Sequence, residues 1–198
     1  MNLSTKDIFG LLSILVLVPQ YWIYLTATWR GEIRPHIFSF TIWMLGSGII
    51  AVSQYYEKGG PGAWGSAGST VLCLFTMLLT YRLGTKYITR SDWVAFTGAL
   101  AAIPLWIVTK DPFWSVVLIT VIEVIAYFPT FRKAWMEGRE ELPAFWICAV
   151  LQYTFIFLAL ETYNWTTILN PGFNAIACGG VVLILLVRCL KQVKEPLP

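Results

Sequence analysis

Seven long apolar stretches, each bounded by polar or turn-forming residues, follow one another along almost the whole chain. Each is close to the ~20 residues that an α-helix needs to cross the hydrocarbon core of a bilayer. The segments between them are short, so the pattern leaves no room for a soluble domain. It predicts an all-α integral membrane protein of seven transmembrane helices, with spans at 8–28, 37–56, 63–83, 92–109, 113–134, 143–161 and 165–190.

Proline and glycine interrupt this pattern at matched places in the two halves. Pro19 lies 42 residues before the Pro-Gly pair at 61–62, and Pro129 lies 42 residues before the pair at 171–172, so the halves overlay at an offset of 110. A three-span unit copied directly behind itself would be inverted, and one extra span between the copies restores the parallel sense. The pattern therefore predicts a 3+1+3 arrangement of two parallel triple-helix bundles. The predicted units are a first bundle in 1–84, a linker helix in 85–110 and a second bundle in 111–198.

The two prolines inside spans have a direct backbone consequence. Pro19 leaves the carbonyl of Leu15 without its helical donor, and Pro129 does the same to Ile125. In hydrocarbon, a freed carbonyl is tolerated only where protein or water can satisfy it. We therefore expect both prolines to kink their helices and to face the interior of the bundle.

The basic residues indicate an orientation. Only Lys6, Lys58 and Lys110 lie at the N-terminus or in the loops after the second, fourth and sixth spans, and the other eleven of the 14 Lys and Arg lie on the opposite side. The positive-inside rule then places the N-terminus outside and the C-terminus in the cytoplasm. An even number of spans would remove this asymmetry.

Composition excludes several function classes. The chain is 57% hydrophobic and 13% charged, against about 25% charged in soluble domains. Its net charge of +3 comes from scattered single residues, so no nucleic-acid partner is expected. The four cysteines lie inside apolar runs without metal-ligand spacing, and His36 is the single histidine. We therefore expect no metal site, no cofactor and no enzymatic activity.

The stretch "VPQYWIYL" around Pro19 and Gln20, with its counterpart "FPTFRKAW" around Pro129 and Thr130, resembles the PQ-loop and SWEET superfamily of membrane transporters. The resemblance covers the layout of the whole chain, although the second pair is Pro-Thr rather than Pro-Gln. It implies two triple-helix bundles joined by a linker helix. These bundles would rock about hinge residues Pro19, Gln20, Pro129 and Thr130 and expose a central site to each side in turn. Members carry sugars, amino acids or vitamins, and related folds include sorting receptors.

Polar residues deep in the spans are candidates for a binding site. Glu123 lies about ten residues into the fifth span, or ~15 Å at the rise of an α-helix, which is the bilayer midplane. An ionised carboxylate there costs about 2.5–3.5 kcal/mol on insertion scales, so it needs a partner, a cavity or a proton. Tyr127 shares its helix face, and Gln152 lies at mid-depth in the sixth span. Glu123 either binds substrate or couples a proton, or it only hydrogen-bonds a neighbouring helix.

The resemblance adds three residues to these candidates. SWEET-like transporters line the central cavity with Trp and Asn, which implies roles for Trp43, Trp146 and Asn174 in this chain. The alternative for the two tryptophans is an aromatic side chain that packs in the core or faces lipid. Asn174 lies nearer the outer end of its span than a midplane site requires.

The leading hypothesis is therefore a small-solute transporter that works by alternating access around a central cavity. Because no cation lies at the midplane, a neutral polar solute such as a sugar or a vitamin is expected. The alternatives are a non-transporting receptor or scaffold of the same fold, or a subunit of a larger membrane complex. The expected partners are a small molecule and the lipid bilayer, and a homo-oligomer is compatible with the sequence.

Overall fold

The structure is a computed structural model that describes residues 3–32, 37–83, 90–136 and 142–194. In these ranges the fold is all-helical, and its seven helices lie where the apolar pattern predicts them. They are α1 (Thr5–Trp29), α2 (Ile37–Tyr56), α3 (Gly62–Leu83), α4 (Arg90–Thr109), α5 (Pro112–Met136), α6 (Pro143–Ala159) and α7 (Trp165–Lys194).

Three helices of the described part of the chain are long and apolar enough to cross a membrane, judged by length and composition. They are α1, α3 and the segment Trp165–Leu190 of α7. Shorter apolar helical stretches lie in α4, α5 and α6, at Phe96–Thr109, Pro112–Ile125 and Pro143–Ala159. The three long helices indicate association with a membrane.

The molecule carries large apolar side chains outward and many polar side chains inward. Val108 is 80% exposed and Ile176 is 77% exposed, whereas Gln54 and Thr167 are fully buried. A water-soluble domain has the opposite distribution, with its amides and hydroxyls mostly at the surface. This distribution is expected of a protein that lies in apolar surroundings and keeps its polar side chains inside.

The first helix shows how the sequence directs side chains to the interior. α1 begins at a capping box, in which Ser4 Oγ accepts a hydrogen bond from Asp7 N and Asp7 Oδ2 accepts one from Ser4 N. Pro19 lies within α1, but its side chain is exposed, while Gln20 and Tyr21 are buried. The expectation that Pro19 faces the interior is therefore wrong. The reason is that proline only removes a backbone donor, whereas the direction of its ring depends on which side chains of α1 pack inward, here those of Gln20 and Tyr21.

The second proline segment is described only through its backbone. α5 continues as a helix through positions 129 and 130 to Met136. The side chains of Pro129 and Thr130 lie outside the described part of the structure, so their hinge role stays a prediction.

The helices pack in a regular order around the interior. α3 packs against both α1 and α2, and α7 packs against both α5 and α6. α4 contacts α2 and α5, and α6 also packs closely along α1 and touches α3. Every helix thus contributes to one continuous body with polar side chains at its centre.

A small residue permits the close approach of α3 to α1 and α6. A Cβ added at Gly65 would lie 2.5 Å from Ile156 Cγ1 and 2.6 Å from Ser13 Oγ. Both distances are shorter than van der Waals contact, so any larger residue at this position would push the helices apart. The polar residues further along α3 are thereby brought near those of α6.

Candidate functional site

A cavity lies in the centre of the helical body, with walls from α1, α2, α3, α5, α6 and α7. Its volume open to the centres of water molecules is about 60 Å³. One water needs about 10–15 Å³ of such volume, so the cavity has room for several waters. The structure places all six residues that the sequence predicts for substrate binding around this one cavity: Trp43, Glu123, Tyr127, Trp146, Gln152 and Asn174.

Glu123 is held by two asparagines of α7. Asn170 Nδ2 donates to Glu123 Oε2 over 2.7 Å, and Asn174 Nδ2 donates to the same oxygen over 2.8 Å. The two asparagines are four residues apart, so they lie on one face of α7, one turn above the other. Asn174 Nδ2 also approaches the backbone oxygen of Asn170 at 3.1 Å. The carboxyl group is only 6% exposed, so these bonds replace the water that it has lost.

The other oxygen of Glu123 has no hydrogen-bond donor among the described residues. Oε1 lies towards α2, where a Cβ added at Gly46 would come within 3.4 Å of it. The same Cβ would lie 3.1 Å from Ile119 Cγ2, so glycine at this position allows α2 to approach α5 closely beside the carboxyl group.

Two tyrosines make similar contacts on opposite sides of the cavity. Tyr127 Oη donates to Asn174 Oδ1 over 2.9 Å and lies 3.2 Å from Cys178 Sγ. Tyr21 Oη lies 3.0 Å from Cys73 Sγ. The cysteines are free thiols buried in the core, in agreement with their location in apolar runs of the sequence.

Gln152 and Gln20 are both buried at the cavity but differ in their hydrogen bonds. Gln152 Nε2 donates to Ser69 Oγ over 2.6 Å and so links α6 to α3. Gln20 is 3% exposed, and its Oε1 is buried without a hydrogen-bond partner in the described part of the chain. A buried polar atom without a partner costs about 1–3 kcal/mol.

Aromatic rings form much of the remaining wall. The rings of Tyr127 and Trp146 lie 6.3 Å apart, and those of Tyr21 and Phe145 also lie 6.3 Å apart. Trp43 packs edge-on against Phe40 with a centroid distance of 5.1 Å. Apolar walls with a few fixed polar groups are typical of small-molecule sites.

The site contains one carboxyl group. Among the described residues that line the cavity, Glu123 is the only acid, and none is a lysine, arginine or histidine. The described residues also contain no group of three or more His, Cys, Asp or Glu that could hold a metal ion. The walls thus offer acceptors, amides and rings to a ligand.

No family model, curated protein or solved structure matches this chain. The function must therefore be inferred from the cavity and from the helices that form it.

The sequence analysis did not include several residues that the structure brings to the cavity. Asn170 carries a signal that was available, because Asn170, Asn174 and Cys178 follow one another at spacings of four on a single helix face. Gln20 is predicted only as a hinge, yet it lines the cavity.

Gln54, near the end of α2, is bonded to Ser66 Oγ and to the carbonyl of Thr167 and so joins three helices.

Proposed function

We propose that this protein is a multi-pass membrane transporter that carries a small polar solute by alternating access around the central cavity. The observation that carries the proposal is that Gln20, whose Oε1 is a buried acceptor without a partner in the described part of the chain, lines the same cavity as Glu123. Such atoms are stabilised by a solute that donates hydrogen bonds to them. An enclosed polar site within an apolar exterior is what solute transfer through a bilayer requires.

The packing order supports a 3+1+3 arrangement. In the first three helices α3 lies against both partners, in the last three α7 does so, and α4 lies between the sets on α2 and α5. The contacts of Tyr21 with Cys73 and of Tyr127 with Cys178 join residues 52 and 51 apart in the sequence. Overlaying these two contacts aligns the first three helices with the last three at an offset a few residues smaller than the offset of 110 given by the prolines. We infer two like-oriented triple-helix bundles and a linker helix.

The proposed orientation has the N-terminus outside and the C-terminus in the cytoplasm, following the positive-inside rule. Exposed tryptophans lie near both ends of the helices, where amphipathic rings suit the headgroup layer. They are Trp29, Trp93, Trp114, Trp135 and Trp165. The loops α2–α3 and α6–α7 then lie at the outer surface.

The outer loops of the two bundles are joined by hydrogen bonds. Glu161 N donates to the carbonyl of Gly59 over 3.1 Å, and Thr162 Oγ1 donates to the carbonyl of Lys58 over 3.0 Å. Gly60 has a left-handed φ of 62°, and the Glu161 side chain lies directly over it, so a Cβ there would overlap the carboxyl group. We infer that these two loops, 57–60 and 161–164, form an outer gate that is closed in this conformation.

A neutral solute rich in hydroxyl or amide groups suits the walls best. Gln20 and Glu123 line a cavity without a basic residue among its described walls, so an anion would have no counter-charge. The aromatic rings supply apolar faces beside these acceptors. A sugar or a neutral vitamin has this combination of groups.

The test is uptake into liposomes that contain the purified protein. Labelled glucose, galactose, nicotinamide and riboflavin serve as neutral solutes, and gluconate serves as the anionic counterpart of glucose. We expect saturable uptake of at least one neutral solute above protein-free liposomes, and none of gluconate. Binding of a solute without uptake, detected by isothermal titration calorimetry, would favour a receptor of the same fold instead.

A further inference from the structure

A second and larger concavity lies on the outside of the bundle, where α2, α3 and α4 meet. Its volume open to water-sized spheres is about 770 Å³, against about 60 Å³ for the central cavity. We name it the α2–α4 groove. Its walls are mainly aliphatic side chains of α2 and α4: Met44, Leu45, Ile49, Val52, Ile103 and Ile107.

One end of the α2–α4 groove is polar. Lys110 lines it there, beside Tyr56 and Trp106, whose rings lie 6.2 Å apart at an angle of 86°. Lys110 is exposed, and its ammonium has no ion pair within the described ranges. Its neighbour Asp111 directs Oδ1 to the backbone N of Phe113 over 2.9 Å. The groove thus ends at an uncompensated positive charge flanked by two amphipathic rings.

The length of the groove matches one leaflet of a bilayer. Along α2 it extends from Met44 to Tyr56, which is about 18 Å at the helical rise of 1.5 Å per residue. Half of a hydrocarbon core is about 15 Å. An acyl chain that follows the groove would therefore run from the middle of the bilayer to its surface.

We propose that the α2–α4 groove binds one glycerophospholipid whose headgroup carries a net negative charge. An acyl chain lies along the aliphatic walls, and the phosphate accepts hydrogen bonds from the ammonium of Lys110. Tyr56 and Trp106 lie at the level of the headgroup, which amphipathic rings favour. This site is separate from the central cavity and needs only that the helices lie in a bilayer, as proposed above.

Charge complementarity selects this occupant. A helix from a second copy of the chain would fill the apolar walls but would leave Lys110 without a counter-charge unless an acid happened to face it. A zwitterionic lipid carries its own ammonium, which competes with Lys110 for the phosphate. A headgroup such as phosphatidylglycerol has a phosphate and no ammonium.

The test is native mass spectrometry of the purified chain after exchange with equal amounts of phosphatidylglycerol and phosphatidylcholine. We expect one retained phosphatidylglycerol per chain. Lys110→Gln lowers the preference for phosphatidylglycerol about fivefold, the contribution of one lysine near an anionic headgroup. Lys58→Gln is the matched control, because Lys58 and Lys110 share a left-handed backbone, with φ of 56° and 54°, and Lys58 does not line the groove.

A second pair of variants tests the apolar walls. A Cβ added at Gly48 would meet Thr70 Cγ2 at 3.5 Å, an ordinary contact, so Gly48→Leu fits and fills the groove. We expect it to release both lipids, whereas Gly179→Leu, at a position with no neighbouring atom within 4 Å, retains them. Lipid retained by the Gly48 variant, or an equal loss of preference in the two lysine variants, would overturn the proposal. A lipid-free dimer that Gly48→Leu separates would also overturn it, since the groove would then be a subunit interface.

Discussion

The side-chain amide of Asn164 donates a hydrogen bond to Glu57 Oε2 over 2.8 Å and so connects the loop before α7 to the end of α2. The two residues are 107 apart in the sequence and belong to different proposed bundles. The bond lies in the proposed outer gate, beside the hydrogen bonds from Glu161 N to the carbonyl of Gly59 and from Thr162 Oγ1 to the carbonyl of Lys58. In the proposed transport cycle these two loops separate once in each turnover.

The first prediction concerns that opening. A chain with Glu57→Cys and Asn164→Cys, treated with a short bis-methanethiosulfonate cross-linker, is expected to lose uptake into liposomes and to recover it on reduction. Each single-cysteine variant, treated in the same way, is the control. Uptake that persists in the cross-linked chain would show that the loops need not separate.

The second prediction concerns the side-chain oxygen of Gln20, which has no hydrogen-bond partner in the described structure. Gln20→Leu removes a buried acceptor that has no partner in the described structure, so the unfolding temperature of the solute-free protein stays the same or rises, while uptake falls. Gln54→Leu is the matched control. Gln54 accepts from Ser66 Oγ at 2.8 Å, so its loss lowers stability by about 1–3 kcal/mol. Equal destabilisation by both changes would contradict a ligand-binding role for Gln20.

The third prediction concerns Glu123. Glu123→Gln keeps an oxygen for Asn170 and Asn174 and removes the ionisable carboxyl group, so thermal stability is retained while uptake falls about tenfold, the worth of one hydrogen bond. Glu123→Ala leaves both asparagine amides without their acceptor and destabilises the protein. Glu32→Gln, at a side chain that is 57% exposed, is the control and keeps full uptake. Full uptake by Glu123→Gln would limit Glu123 to a structural role.

The fourth prediction separates a hinge from a simple helix defect. Alanine is a better helix former than proline by about 3 kcal/mol in a helix interior, so Pro19→Ala and Pro104→Ala are both expected to preserve or raise thermal stability. Both prolines lie inside helices with exposed side chains. Only Pro19→Ala is expected to lower uptake, because Pro104 lies in the proposed linker helix. A hinge at Pro19 is excluded if both variants transport at the wild-type rate.

The positions of the helices could be predicted from the sequence, but the rotation of each helix about its axis could not. Apolar runs of about 20 residues predict the positions of the helices within a few residues, because Pro112, Pro143 and a Gly-rich turn mark the boundaries between runs. Pro19 and Gln20 are neighbours in the sequence, yet only Gln20 faces the cavity. Which of the two turns inward depends on packing against α3 and α6, and an apolar surround gives no amphipathic pattern from which to read it.

The residues of the site could be predicted only in part. Glu123 and Gln152 stand out because a polar side chain deep in an apolar span needs an explanation. Asn170 lies closer to the start of its span, so its depth does not single it out, although it makes the shortest bond to Glu123. Its role depends on α5 and α7 being neighbours, which is a property of the fold rather than of either segment.

The reversal of polarity between surface and interior also determines which positions can change over time. Leucine, isoleucine and valine on the outer faces can replace one another with little effect, because lipid tails solvate them equally well. The carboxyl group of Glu123 and the buried amides that are hydrogen-bonded in this structure cannot, because each exchange would leave a neighbour without its bond. Distant relatives of this chain should therefore be sought through the spacing of Gln20, Glu123, Asn170 and Asn174 rather than through overall similarity of their apolar segments.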